Sequence, residues 1–143
     1  MISVLYSEKL AGQPMGLFSR TKQAQHTRQI GNQYETLAEQ YLARQGLILL
    51  KRNFIAKCGE IDLIMRDTNT LVFIEVKYRK HTQYGHAAQA VNAKKRQRLI
   101  NTAQLWLIKN NLSVHSTDFR FDVMAIHDSG KEIEWIKNAI TQG

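Results

Sequence analysis

GEIDLI at 59–64 and TLVFIEVKYR at 70–79 decide how this chain folds. Both are apolar, strand-like runs with charges set inside them: Asp62 in the first, Glu75 and Lys77 in the second. A charge in a core strand is costly unless it is paired or bound to a metal. Side chains alternate faces along a strand, so Leu71, Phe73, Glu75, Lys77 and Arg79 share one face and Val72, Ile74, Val76 and Tyr78 the other. The polar stretch Asp67-Thr68-Asn69 reads as the turn joining the two runs. With Arg66 opposite Leu71 around that turn, Ile64 meets Phe73 and Asp62 meets Glu75, with Cβ atoms about 5 Å apart. A one-residue slip would send Asp62 to the opposite face. The acidic pair therefore depends on the length of the turn.

Two carboxylates that close repel unless one is protonated, a cation neutralises both, or a lysine intervenes. A hard divalent ion takes oxygen ligands and keeps water in its remaining positions. Asp62, Glu75 and the carbonyl of Val76 make half of such a site. Lys77 beside them suits a phosphate oxygen or an attacking water, the needs of phosphodiester cleavage. The plainer reading of the same spacing is an ion pair between these acids and Lys77 on a solvated sheet face. Spacing alone leaves both open.

Working outward, Ile30, Tyr34, Leu37, Ala38, Tyr41 and Leu42 carry a helical period from about Thr27, and Gly46 is its stop. LILLKRNF (47–54) reads as a strand, Ala87 to Asn110 as an amphipathic helix, DFRFDVMAIH (118–127) as a strand, and EIEWIKNAI (132–140) as a last strand and tail. Residues 1–26 lack a sustained period and read as an N-terminal extension, partly ordered by the domain at 27–143. The element order is helix, three strands, helix, then one or two strands: a mixed α/β domain with a central mixed sheet flanked by helices.

The chain has 143 residues, with 20 Lys and Arg against 12 Asp and Glu. Of the resulting net charge of +8, nearly all lies in one stretch, because residues 77–98 hold Lys77, Arg79, Lys80, Lys94, Lys95, Arg96 and Arg98 and no acid. A local patch points to a polyanion, nucleic acid or an anionic surface. The single cysteine, Cys58, excludes an intramolecular disulfide and a thiolate metal cluster, and fits a reducing cytoplasm. No apolar run reaches the roughly 18 residues of a membrane-spanning helix, and the N-terminus lacks the basic and apolar regions of a signal peptide.

GEIDLI, LVFIEVKYR and RFDV (120–123), together with the spacing Gly31, Glu35, Ala38, Tyr41, Leu42 and the helix start AVNAKKRQRL (90–99), resemble the uncharacterised YraN-like family over about residues 28–140. That resemblance implies a restriction-endonuclease-like core close to archaeal Holliday-junction resolvases, and a PD-(D/E)xK site. Carried onto this chain, it makes Asp62 and Glu75 the metal-binding acids, Lys77 the site lysine and Glu35 an auxiliary acid, with Mg2+ or Mn2+ as cofactor. Ile61 stands where the motif has proline. Without the resemblance, Glu35 reads as a solvated helix residue.

Around these four catalytic candidates, Lys95 lies on the inward line Val91–Lys95–Leu99 and should reach toward the sheet, whereas Lys94 and Arg98 form an outer rail for phosphates. Arg79, at the end of the Glu75 face, joins them as a phosphate contact. Asp122 reads as a structural brace for Arg120 or a backbone amide, His81 and His86 as loop residues, and Trp106 and Trp135 as packing residues. The expected function is a metal-dependent nuclease acting on DNA, branched DNA included, with a homodimer serving two strands by analogy with resolvases. The competing readings are a non-catalytic DNA-binding module with the same fold and a basic protein of membrane surfaces.

Overall fold

The computed structural model describes residues 15–79 and 92–140, with side chains in the first helix from Arg28 onward. Helix α1 (Met15–Arg44) leads into strands β1 (Ile48–Ala56), β2 (Gly59–Asp67) and β3 (Thr70–Arg79), then helix α2 (Ala93–Lys109), strand β4 (Phe119–His127) and strand β5 (Glu132–Ile136). The five strands form one sheet in the order β1-β2-β3-β4-β5. β3 and β4 run parallel; the other neighbours are antiparallel. Parallel neighbours need a long crossover, and α2 lies within it. The mixed α/β architecture and the element order are those expected from the sequence.

The helices cover opposite faces of the sheet. On one side Ala38 and Leu42 of α1 pack on Leu63, Met65, Val72, Ile74, Met124 and Ile126. On the other, Leu99, Ala103, Trp106 and Leu107 of α2 pack on Ile64, Phe73, Phe121 and Val123. A sheet buried on both faces explains why β3 is an almost continuous apolar run rather than an alternating one. Each of the largest of these side chains adds roughly 1.5–3 kcal/mol by leaving water. Arg52 on β1 ties α1 to the sheet edge through Thr36 at 3.1 Å and Glu39 at 3.4 Å.

Gly46 ends α1 as expected. At φ +99 it adopts a left-handed conformation, its amide bonds Ala43 O at 3.0 Å, and the next amide, of Leu47, bonds Leu42 O at 3.1 Å. This paired closure uses two carbonyls the helix end would otherwise leave open, and it seats Leu47 in the core.

Two boundaries differ from expectation. α1 starts at Met15, inside the stretch read as an extension. Residues 15–26 (MGLFSRTKQAQH) contain many good helix formers, and Pro14 stands just before the helix, so intrinsic propensity carries a helix where no apolar stripe marks it. The described start of α2 is Ala93 rather than Ala87. Asn92 is extended (φ −75, ψ 170) and its side-chain oxygen accepts the Lys95 amide at 2.8 Å, so the helix begins at that cap. Lys80, His81, His86 and Val91 lie outside the described residues.

Candidate active site

The β2–β3 ladder has the expected register: Arg66 opposite Leu71, Ile64 opposite Phe73, and a last pair of Leu63 and Ile74. One residue further the strands part. Asp62 does not pair with Glu75 through the backbone; its side-chain Oδ2 instead accepts the amide of Val76 at 2.8 Å. The alternation of β2 slips at the same place, because Ile61 and Ile64, three residues apart, pack in the same α2-side cluster. Asn53, across from Asp62 on β1, has φ +52. The departure from regular pleating leaves Asp62 in the opening between the two faces, half-buried. An extended residue directs its N–H and C=O to the same side, so the Val76 carbonyl expected as a ligand faces that opening too.

Glu75 and Lys77 point the same way, as alternation requires. Glu75 is 9% exposed, and its Oε1 meets Lys77 Nζ at 3.4 Å and Lys95 Nζ at 2.7 Å. Lys95 therefore does reach from α2 to the sheet. The lysine that most closely balances Glu75 is thus the helical one, and no strand motif signals that.

Glu35, on α1, approaches Asp62 from the opposite face of the sheet. Burial raises its carboxyl above the ordinary range; Asn53, Arg52 and a hydrogen bond with Asp62 pull it back. Its Oε2 is buried without a hydrogen-bond partner. Burial pushes the Asp62 carboxyl up to about 8, the negative charge of Glu75 adds to this, the Val76 amide opposes it, and Glu35 and Glu60 add further. Neighbouring carboxyls repel when both are ionised, which favours a proton on Asp62. Burial lowers the Lys77 ammonium, as does the neighbouring Lys95, with Glu75 opposing. Burial works against Lys95 as well, but its close contact with the Glu75 carboxylate outweighs it and leaves its affinity for the proton raised.

Among the described residues, no three His, Cys, Asp or Glu side chains converge as a ready metal cage. Mg2+ does not require one: one or two carboxylates plus substrate oxygens and water suffice. The orphaned buried Oε2 of Glu35 and an Asp62 that needs a proton in place of a cation both fit a divalent ion held by Asp62 and Glu75.

The remaining expected residues divide into two groups. Lys94 and Arg98 are exposed on α2, and Arg79 is half-buried at the end of β3, beside His127 of β4. Lys94 directly precedes Lys95 on α2, and Arg79 follows Lys77 by two residues on β3. Asp122 is a brace: fully buried on β4 opposite Ile74, it accepts from Arg120 Nε at 3.1 and 3.2 Å, Trp135 Nε1 at 2.9 Å and the Asn138 amide at 2.8 Å. Trp106 is buried in the core as expected. Sequence reading passed over Glu60 and Asn53. Glu60, two residues before Asp62, was visible as a further acid; Asn53 enters only through cross-strand pairing.

The resemblance carried by these strands is borne out by comparison. A profile of the uncharacterised protein family UPF0102 matches residues 34–126, a span that contains every site candidate named above. A UPF0102 protein of Vibrio campbellii is 56% identical over 129 residues, covering 90% of this chain and 100% of its own length. One from Vibrio cholerae serotype O1 is 56% identical over 118 residues, covering 82% and 97%. One from Aliivibrio fischeri is 52% identical over 119 residues, covering 83% and 97%.

Proposed function

We propose that this chain, which belongs to the uncharacterised protein family UPF0102, is a metal-dependent nuclease-like protein that acts on DNA phosphodiesters, branched DNA included. The observation that carries this reading is the meeting of Asp62, Glu75 and Lys77 where β2 and β3 part. There Glu75 is buried and Asp62 and Lys77 are half-buried, so two carboxyls and an ammonium crowd one point of the sheet.

In this reading Asp62 and Glu75 hold Mg2+ or Mn2+, and Glu35 holds Asp62 in place from the α1 side. The bound ion would supply a Lewis acid and an acidified water. Lys77 places positive charge beside the phosphate undergoing attack, where negative charge grows in the transition state. Arg79, Lys94 and Arg98 contact flanking phosphates, which brings affinity with little sequence choice. Two copies acting together would deliver one site to each strand of a duplex. A reducing cytoplasm, where DNA is at hand, suits the single cysteine.

A second reading is favoured by one contact. Lys95 sits 2.7 Å from Glu75, balancing the charge a divalent ion would otherwise balance. A DNA-binding module that has kept the fold and lost the chemistry would look the same. Among the described residues no helix is long and apolar enough to cross a membrane. The apolar face of α2 is spent on the sheet rather than offered to a membrane surface.

Cleavage assays on duplex, single-stranded, flap and four-way DNA with Mg2+ or Mn2+ separate the readings. Metal-dependent cutting by the wild type, abolished in Glu75→Ala and lowered about 10²–10³-fold in Lys77→Ala, supports the nuclease. An inert wild type that still binds DNA in a salt-dependent way establishes the binding module.

A further inference from the structure

Of the basic residues opening α2, Lys94, Arg96 and Arg98 are exposed and Lys95 is half-buried. Lys95 turns inward and shares the Oε1 of Glu75 with Lys77, at 2.7 and 3.4 Å. Two ammonium groups on one oxygen repel each other, and the burial of Glu75 is what keeps both there. A divalent ion binding that carboxylate meets the same repulsion, most strongly from the nearer lysine.

The backbone of Lys95 is fixed, because its amide is bonded to the Asn92 cap at 2.8 Å. Its side chain is not enclosed: it is 35% exposed, at the mouth of the site. A four-carbon stem allows the ammonium to swing outward without moving the helix. Lys94 and Arg98, the exposed outer rail, stand one and three residues from it on the same helix, so a polyanion drawn to them brings phosphate oxygens close to the place where Lys95 would emerge.

We propose that Lys95 is a displaceable counter-ion: it closes Glu75 to divalent cations until phosphates bound along the start of α2 draw its ammonium outward, so that cation and polyanion load together. This rests on the nuclease reading of the same site and adds its control. Loading would be coupled in both directions, each ligand raising the affinity of the other. In the absence of DNA, the acidic cluster would remain balanced by lysines rather than by metal.

The test is Mn2+ binding by the DNA-free protein, measured by calorimetry and by the loss of the free-ion spin-resonance signal. Lys95→Met should bind Mn2+ on the order of tenfold more tightly, within the usual range of coupling between two ligands. Arg96→Gln, which removes the same charge one residue away, should stay within about twofold of wild type. In a Glu75→Gln background, Lys95→Met should bring no gain. A short duplex added without metal should shift the side-chain NMR signals of Lys95 away from those of the Glu75-bound state. Equal Mn2+ affinities in Lys95→Met and Arg96→Gln, or an unmoved Lys95 signal in the DNA complex, overturn the counter-ion role. If metal-dependent cleavage accompanies those results, the nuclease reading stands without it. Absence of Mn2+ binding in every variant, together with absence of cleavage, removes both.

Discussion

The Asp62 carboxylate accepts the Val76 amide at 2.8 Å across the point where β2 and β3 stop pairing. A side chain thus does the work of the missing backbone partner, at the cost of placing a carboxyl in a half-buried position beside other acids. Two substitutions separate these effects. Asp62→Asn keeps an acceptor and removes the charge; at pH 8 it should be more stable than wild type, whose ionised carboxyl has by then lost the stability of the protonated form, while losing any cleavage. Asp62→Ala also loses the acceptor and should be about 1 kcal/mol less stable than Asp62→Asn. Urea denaturation of the three proteins measures both differences.

The same carboxyl sets a pH dependence. Its value of about 8 in the folded protein stands above the ordinary 3.8, so between those values the folded state holds more protons than the unfolded chain. Stability contributed by this group is fully present below about pH 4 and is lost as pH rises through about 8. Glu35, also raised, acts in the same direction. Wild type should therefore lose stability relative to Asp62→Asn between pH 5 and pH 8. Parallel curves for the two proteins over that window, in urea midpoints taken without divalent metal, would refute the assignment.

Asp122 presents the opposite case, a buried acid whose partners are complete. Asp122→Ala leaves the Trp135 indole and the Asn138 amide without their acceptor and leaves Arg120 with Asp67 at 3.0 Å. Breaking such a network should cost about 3 kcal/mol. DNA affinity of the folded fraction should be unchanged, because the Asp122 carboxylate is spent on Arg120, Trp135 and Asn138. Chemical denaturation paired with a DNA titration below the transition checks both halves.

For the outer rail, Lys94→Ala and Arg98→Ala should each weaken DNA binding to a similar degree across sequences. Each should reduce the steepness of log affinity against log salt by about 1. Fluorescence anisotropy over a series of salt concentrations gives that slope. An unchanged slope in either variant would remove that residue from the phosphate contacts.

Much of this arrangement is written locally. Alternation alone put Glu75 and Lys77 on one face, and the turn at 67–69 set the register that the ladder follows. The helical period and Gly46 bounded the end of α1, and the Lys95–Leu99 line turned Lys95 inward. These features were legible because each depends on residues within a few positions of one another or joined by one tight turn. The start of α1 and the cap of α2 were missed because propensity and a single asparagine leave no periodic mark.

What the amino-acid sequence determined by itself was the mixed α/β order, the register of β2 on β3, and the identity of the acids and lysines. What only the tertiary structure decided was their relation. The end of the ladder at Leu63 and Ile74, the approach of Glu35 from one face, and the closer contact of Lys95 than Lys77 with Glu75 all depend on how two helices seat on opposite sides of one sheet. The physical reason is that charge pairing acts over a few ångströms in space. Glu35, Asp62, Glu75 and Lys95 are far apart along the chain, and only packing of the whole core brings them within that range.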